Sequence, residues 1–431
     1  MSPVRAVADP SEARALSRLL ANVLLCEAAA AGDSAAVLGR AARWPAAVEL
    51  ASLWRVLPRL RARVARLGLA VPPDAASRLR ELGAGAAAQS IQVAHGGARV
   101  LASLTRAGIA AIAFKGIGLV GNLYRSPAER MVMDVDVLIE PDDLLRAREA
   151  LGAAGFAPVF PATLGDYLSF LRHRPHAENG YLELADPDGL EIDLHWSLGT
   201  TPAPELTAGR LIARAQPAQL YGCAIRVAAP EDAILLTVHH SLRNHLMPQT
   251  TVKDLCDLAA WWELAARSWE PDRLVERAFA SGLGVPLLAA WHILAEFDPQ
   301  SPAATAGRAV AAASPEAVRG QALALAGAFF FQLRKGALNL DLLRALRPSS
   351  LGRFVLSRTS RRATYERFVA RLRHTRGLPV IPFLHRLRRV GIDMAHLEPG
   401  GFASYRAVVR AQKVYASAHR LRPAASKPGR S

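Results

Sequence analysis

The chain has 431 residues, of which 51% are hydrophobic and 21% charged, and its formal net charge is +16. This composition suits a buried core and excludes general disorder, and no uncharged apolar run reaches the roughly 20 residues that a membrane-spanning helix needs. The three cysteines, Cys26, Cys223 and Cys256, are far apart and form neither a disulfide framework nor a metal motif, so we expect a cytoplasmic protein.

The hydrophobic pattern of residues 11–90 predicts helices. Apolar side chains recur at spacings of three and four, as in Leu16, Leu20 and Val23. Residues 89–107 predict one more amphipathic helix, which should end at Gly108, because glycine is typical just beyond a helix C-terminus.

The hydrophobic pattern then changes to that of a strand followed by a Lys-Gly pair. Residues 109–114 predict a buried strand, and a helix is expected over residues 117–124. A glycine such as Gly116 at this point lets a phosphate approach backbone N–H groups, and Lys115 adds a point charge. The plain alternative is a turn glycine with no ligand.

Residues 131–139 predict a second strand that carries two carboxylates. Asp134 and Asp136 share one face, because side chains alternate along a strand. At about 4 Å and an effective dielectric of ~20 they repel each other by roughly 4 kcal/mol, which a bound Mg²⁺ would convert into attraction. An Asp-x-Asp pair alone usually marks a solvated face of a strand, so the motifs around this pair decide whether a catalytic role is favoured. A helix should follow over residues 141–154.

A β-hairpin is expected further along the chain. Its strands are residues 181–185 and 190–196, and the four residues between them, Asp186-Pro187-Asp188-Gly189, are strong turn formers. We therefore predict antiparallel pairing of these two strands.

The second hairpin strand offers a third carboxylate. Glu191, Asp193 and His195 share one of its faces. If this strand lies beside the strand of Asp134 and Asp136, Asp193 completes a three-carboxylate metal site and accepts the proton of an attacking hydroxyl. His195 would then orient a carboxylate or contact the acceptor.

Helices return from Glu231 onward. On one of them Lys253 and Asp257 are four residues apart, so an ion pair is the plain interpretation, and the alternative places Lys253 near a triphosphate or nucleobase. His239 and His240 point about 100° apart on a helix, which favours core or cleft-lining histidines over a metal pair.

The net positive charge of the chain comes from its C-terminal segment. Residues 331–431 contain 22 lysines and arginines against four acids, whereas the rest of the chain contains 31 bases against 33 acids. Such a segment could contact nucleic acid, or it could be a solvated helical face in an arginine-rich protein. Both interpretations remain open.

These motifs together resemble the uncharacterised nucleotidyltransferase family of the DNA polymerase beta-like nucleotidyltransferase superfamily. The likeness extends roughly over residues 40–300. It is carried by Phe114-Lys115-Gly116, Tyr124, Arg130, residues 134–139, Gly155-Phe156, Glu191-Ile192-Asp193-Leu194-His195-Trp196 and residues 253–258.

The resemblance implies an α+β fold with a polymerase beta-like core, in which a small mixed sheet with helices is flanked by N- and C-terminal helical regions. It implies Asp134, Asp136 and Asp193 as ligands of Mg²⁺ or Mn²⁺, with an NTP as co-substrate. Lys115, Gly116, Arg130 and Lys253 would bind the nucleotide, and Arg130 could instead steady the loop before the two aspartates. His195 and Asp257 would lie nearby.

We expect four regions along the chain. They are an N-terminal helical region (1–90), a nucleotidyltransferase core (91–228), a helical domain that closes the cleft (229–330) and a basic segment (331–431). The wider superfamily usually has Gly-Ser or Gly-Gly after the first strand, whereas this chain has Gly116-Ile117, so no serine hydroxyl is available and Lys115 would substitute for it.

Three functions compete. The first is Mg²⁺-dependent transfer of a nucleoside monophosphate from an NTP to a hydroxyl of a small molecule, sugar or peptide, with release of pyrophosphate. The second is RNA-directed nucleotide addition, in which residues 331–431 hold the RNA backbone. The third is a nucleotide-binding or scaffold protein without turnover, which the missing serine motivates.

Overall fold

A computed structural model describes residues 10–26, 43–158, 181–198, 205–241, 248–264 and 270–335. The elements are numbered here over those residues. Nearly all of the basic C-terminal segment, and with it the nucleic-acid hypothesis, lies outside them.

In the described residues, four helices precede the sheet. They are α1 (Pro10–Leu25), α2 (Trp44–Leu53), α3 (Leu57–Arg66) and α4 (Pro73–Arg106). Pro45 and Pro58 occupy second positions of α2 and α3, where a missing N–H costs no hydrogen bond. The apolar faces of α1 to α3 bury Leu20, Trp44 and Leu60 completely.

Helix α4 is one continuous helix of 34 residues, whereas the sequence suggested that a new helix begins near residue 89. It ends as expected, with Gly108 in the left-handed region at φ +65°. Gly96 and Gly97 lie where α4 crosses the sheet, and a Cβ atom at Gly96 would collide with Leu190. These glycines let the helix backbone approach the strands closely.

The sheet has seven strands in the order β3-β4-β5-β2-β1-β7-β6. The strands are β1 (Ala111–Ala113), β2 (Val135–Ile139), β3 (Ala157–Pro158), β4 (Tyr181–Ala185), β5 (Glu191–His195), β6 (Gln216–Leu220) and β7 (Cys223–Val227). β2 pairs with β5, and β1 with β7, in parallel, while the other neighbours are antiparallel. The mixed sheet and its flanking helices confirm the α+β class.

The expected hairpin is confirmed. β4 and β5 pair with Tyr181 opposite His195 and Ala185 opposite Glu191. Asp186 accepts hydrogen bonds from the backbone N–H groups of Asp188 and Leu190, and Gly189 takes φ +83°. The turn therefore fixes the register of the two strands.

Strand β2 is shorter than residues 131–139, because side chains satisfy the backbone before it. Arg130 Nη1 donates to the Met131 carbonyl at 3.2 Å, and the Val132 N–H donates to Ser90 Oγ at 3.0 Å. Asp134 therefore lies just before the strand, and Asp136 lies within it.

The helix after β1 is also displaced from its expected position. Helix α5 spans Lys115–Val120, two residues earlier at its start than residues 117–124 and four residues earlier at its end. Gly118 makes this start feasible, because a Cβ atom there would come within 2.5 Å of the Ala113 carbonyl oxygen. Lys115 and Gly116 thus form the first turn of the helix.

Later helices complete the fold. They are α6 (Leu144–Ala153), α7 (Ala208–Arg214), α8 (Pro230–Val238), α9 (Pro248–Leu264), α10 (Pro271–Ala280), α11 (Gly284–Phe297), α12 (Pro302–Ala313) and α13 (Glu316–Lys335). One buried apolar cluster joins the sheet to α4 and α6, and a second joins the N-terminal helices to α8–α13. No helix among the described residues is long and apolar enough to cross a membrane.

Candidate active site

A row of carboxylates crosses three adjacent strands. The parallel pairing of β2 and β5 sets Asp136 opposite Asp193, and the antiparallel pairing of β5 and β4 sets Glu183 opposite Asp193. Residues at one register position point to the same face of a sheet, and neighbouring strands lie about 4.8 Å apart. The sheet therefore brings together two carboxylates that the chain separates by 57 positions.

Glu183 is the member of this row that the sequence analysis missed. It accepts a hydrogen bond from the Tyr181 hydroxyl at 3.0 Å, and its charge contributes to raising the pKa of Asp193. The register follows from the turn, because the Asp186 N–H donates to the Leu190 carbonyl and this pairing sets Glu183 opposite Asp193.

Asp136 is the most constrained acid of the row. It is buried, and its Oδ1 lies 2.6 Å from Lys115 Nζ and 3.0 Å from His195 Nε2. Burial alone would raise the pKa of Asp136, but the charge of Lys115 and the hydrogen bond with His195 outweigh it and hold that pKa well below its usual range. Asp136 is thus an anion at any ordinary pH.

The two neighbouring aspartates show the opposite shift. Burial, and then the negative charge of Asp136, raises the pKa of Asp193 to about 7. The same two causes raise the pKa of Asp134, which lines a cavity together with Asp136. The site therefore holds more negative charge than Lys115 can balance, which favours a bound cation.

His195 completes a group able to hold a metal ion. One ligand atom from each of Asp136, Asp193 and His195 lies within 4.8 Å of the others. The imidazole is buried, stacks on Tyr181 with ring centroids 5.1 Å apart and meets the edge of Phe114 at 5.0 Å. Burial lowers the pKa of His195, which keeps the ring neutral and able to ligate.

Arg130 connects the core to helix α9. Its Nε lies 3.0 Å and 3.1 Å from the two carboxylate oxygens of Asp257, and its Nη2 lies 2.9 Å from Oδ2. Tyr124 donates its hydroxyl to Asp257 Oδ1 at 2.7 Å. These groups are buried, and the guanidinium also donates to the Met131 carbonyl in the segment before β2.

The plain interpretation of Lys253 and Asp257, an ion pair within one helix, is wrong, because Asp257 pairs with Arg130 instead. Lys253 Nζ instead lies 3.6 Å from Asp254, which also contacts His240 Nδ1 at 2.9 Å. Burial raises the pKa of Asp254, but Lys253 and His240 lower it to a net value of about 2. Lys253 lines the same cavity as Lys115.

That cavity has a volume of about 240 Å³. Among the described residues, its lining contains four acids and four bases, together with uncharged residues from the segment before β2, from helix α5 and from helix α8. The charged ones are Asp134, Asp136, Asp254, Asp257, Arg55, Lys115, Arg130 and Lys253. Gly116 also lines it, and a Cβ atom there would come within 2.7 Å of Arg130 Nη1.

A family model described as an uncharacterised nucleotidyltransferase matches residues 40–298, which include every residue of the cavity and of the carboxylate row. Among curated proteins, none matches the chain.

Proposed function

The chain belongs to the uncharacterised nucleotidyltransferase family, and on that premise we propose that it transfers a nucleoside monophosphate from an NTP to a hydroxyl of a small molecule, sugar or peptide. Pyrophosphate would leave, and the reaction would depend on Mg²⁺ or Mn²⁺. The observation that carries this proposal is the register that sets Asp193 opposite Asp136 at the edge of a charged cavity.

The carboxylate oxygens of the donor set fit a hard divalent cation. Asp136, Asp193 and the neutral His195 would hold it, and Asp134 would join them from the adjacent segment. When bound, such an ion neutralises charge on the triphosphate and on the attacking oxygen. Asp193 would also accept the proton of the acceptor hydroxyl.

The phosphate end of the site consists of lysines. Lys115 contacts Asp136, and Lys253 lines the same cavity from α9. Ile117 is fully buried, so the position after Gly116 offers no hydroxyl and faces the core. We therefore assign phosphate binding to Lys115 and Lys253, with Arg130 positioning α9 through Asp257.

Asp136→Asn tests the assignment, because it keeps the size of the side chain and removes the charge. The expected result is loss of metal-dependent pyrophosphate release, by about 100-fold or more, over a screen of NTPs and acceptors. Asp188→Asn, on the exposed hairpin turn, is the matched control. Wild-type turnover in the Asp136 variant would contradict the proposal, and NTP binding without turnover in the wild type would favour the scaffold alternative.

The charge of the C-terminal segment favours RNA as a second acceptor class. Phe329 is fully buried in the helical core, so a truncation after Lys335 removes the basic segment and spares α13. RNA-directed addition predicts RNA binding that weakens steeply with salt and disappears in this truncation. Salt-independent behaviour without RNA affinity would remove this candidate.

A further inference from the structure

The cavity contains one base that the proposed chemistry does not use. Arg55 belongs to the N-terminal helices, in the connection between α2 and α3, and it lines the cavity together with Lys115 and Lys253. Its side chain is exposed, so it stands at the mouth of the cavity.

Among the described bases that line this cavity, Arg55 is the one without an acidic partner. Lys115 contacts Asp136, Lys253 lies near Asp254, and Arg130 forms a forked pair with Asp257. Within the ranges that the structure describes, no ion pair or hydrogen bond joins the Arg55 guanidinium to another side chain. Its charge is therefore available to an anionic ligand.

The backbone at Arg55 is one that favours glycine. Helix α2 ends in a Schellman motif, in which the Val56 N–H donates to the Ala51 carbonyl and the Arg55 N–H to the Ser52 carbonyl. Arg55 occupies the left-handed position of that motif at φ +58°. Most helices place glycine there, because a side chain strains this conformation.

The neighbouring residues hold this conformation in place. Trp54 and Val56 are 3% and 2% exposed, so the chain is anchored on both sides of Arg55. Lys115, at φ +48°, is a second base of the same cavity with left-handed backbone. Strained backbone is often found at ligand-binding positions, where a side chain has to be presented in one direction.

We propose that Arg55 binds the terminal phosphates of the NTP and the pyrophosphate that leaves, so that the N-terminal helices form part of the nucleotide site. This inference rests on the proposed function. The planar fork of a guanidinium matches two phosphate oxygens. Asp136, where the reacting phosphate would lie, lines the inner part of the same cavity, and Arg55 lies at its mouth.

The test uses Arg55→Gly in the full-length chain, with three probes in the presence of Mg²⁺: a non-hydrolysable NTP, pyrophosphate and the corresponding NMP. We expect binding of the first two to weaken about tenfold and NMP binding to change less than twofold. The melting temperature should stay the same or rise by about 2 °C, because glycine relieves the strain at this position. Arg18→Gln, an exposed arginine of α1 outside the cavity, controls for net charge.

The outcomes separate the inference from its premise. Unchanged binding of NTP and pyrophosphate in Arg55→Gly would overturn the inference, as would equal weakening of all three probes or the same loss in Arg18→Gln. A defect only in the KM of the acceptor would also overturn it. If the wild type binds neither NTP nor pyrophosphate, the proposed function itself fails.

Discussion

Asp193→Asn should stabilise the metal-free protein. Asp193 has a pKa of about 7 in the folded protein and an ordinary value of 3.8, so the folded state retains a proton that the unfolded state loses between these pH values. The stability that Asp193 contributes is therefore present at low pH and is lost as the pH rises from about 4 to about 7. An asparagine, which does not ionise, avoids this loss.

The size of the effect follows from the pKa. Ionising Asp193 in the folded state at pH 8 is disfavoured by about 4 kcal/mol, since one pKa unit corresponds to about 1.4 kcal/mol. The side chain is 25% exposed, so most of its surface is shielded from water and this value is an upper limit for the gain. The gain should decrease toward zero as the pH approaches 4.

The assay is urea unfolding of the wild type and of Asp193→Asn in EDTA at several pH values, repeated with Mn²⁺. In EDTA at pH 8 the variant should be the more stable protein. Mn²⁺ at about 100 times its dissociation constant should add about 2.7 kcal/mol to the wild type and much less to the variant. Asp188→Asn, on the same hairpin, should behave as the wild type does in both conditions.

Two results would refute the reasoning. If Asp193→Asn is less stable than the wild type in EDTA at pH 8, Asp193 is not a strained anion in the metal-free protein. If Mn²⁺ stabilises the variant and the wild type equally, Asp193 is not a ligand. The first result addresses the electrostatics of the row, and the second addresses the metal site.

Lys115→Met should have opposite effects on the binding of metal and of nucleotide, because Lys115 pairs with Asp136 in the metal-free site. In calorimetry, Mn²⁺ alone should bind the variant several-fold more tightly, and a non-hydrolysable NTP should bind it about tenfold more weakly. Changes in the same direction would contradict the assigned roles. Arg130→Lys should lower the free energy of unfolding by about 2–3 kcal/mol in urea, because lysine cannot form the forked, buried pair with Asp257. A loss below about 0.5 kcal/mol would mean that the pair does not hold α9 in place.

The placement of two carboxylates on strands, and the hairpin that carries one of them, could be predicted from local sequence. Asp136 and Asp193 each lie on a short strand with alternating polar and apolar residues, and the turn at 186–189 fixes the hairpin. What local sequence could not supply was the neighbour of β5. The sequence analysis made that pairing a condition for the three-carboxylate site, and β5 does pair with β2 in parallel.

Contacts between distant segments were harder to predict. The spacing of Lys253 and Asp257 fits an ion pair on an isolated helix, but a buried arginine 127 positions earlier offers Asp257 a forked pair with three short contacts. A surface pair at this spacing contributes only about 0.3–0.5 kcal/mol, so the buried partner prevails. Arg55 gave no signal in the sequence, because its backbone angle and its position at the cavity become evident only in three dimensions.

The pairing of charges in the cavity suggests how a nucleotide would be accommodated. Without ligand, three of its four bases are already neutralised by the acids beside them, so the lining attracts an anion only weakly. A divalent cation on Asp136 would take over the charge that Lys115 now balances and release Lys115 toward phosphate. Metal and nucleotide should therefore bind with positive coupling, and the coupling should disappear in Lys115→Met. If the coupling persists in that variant, it arises from direct contact between metal and phosphate alone.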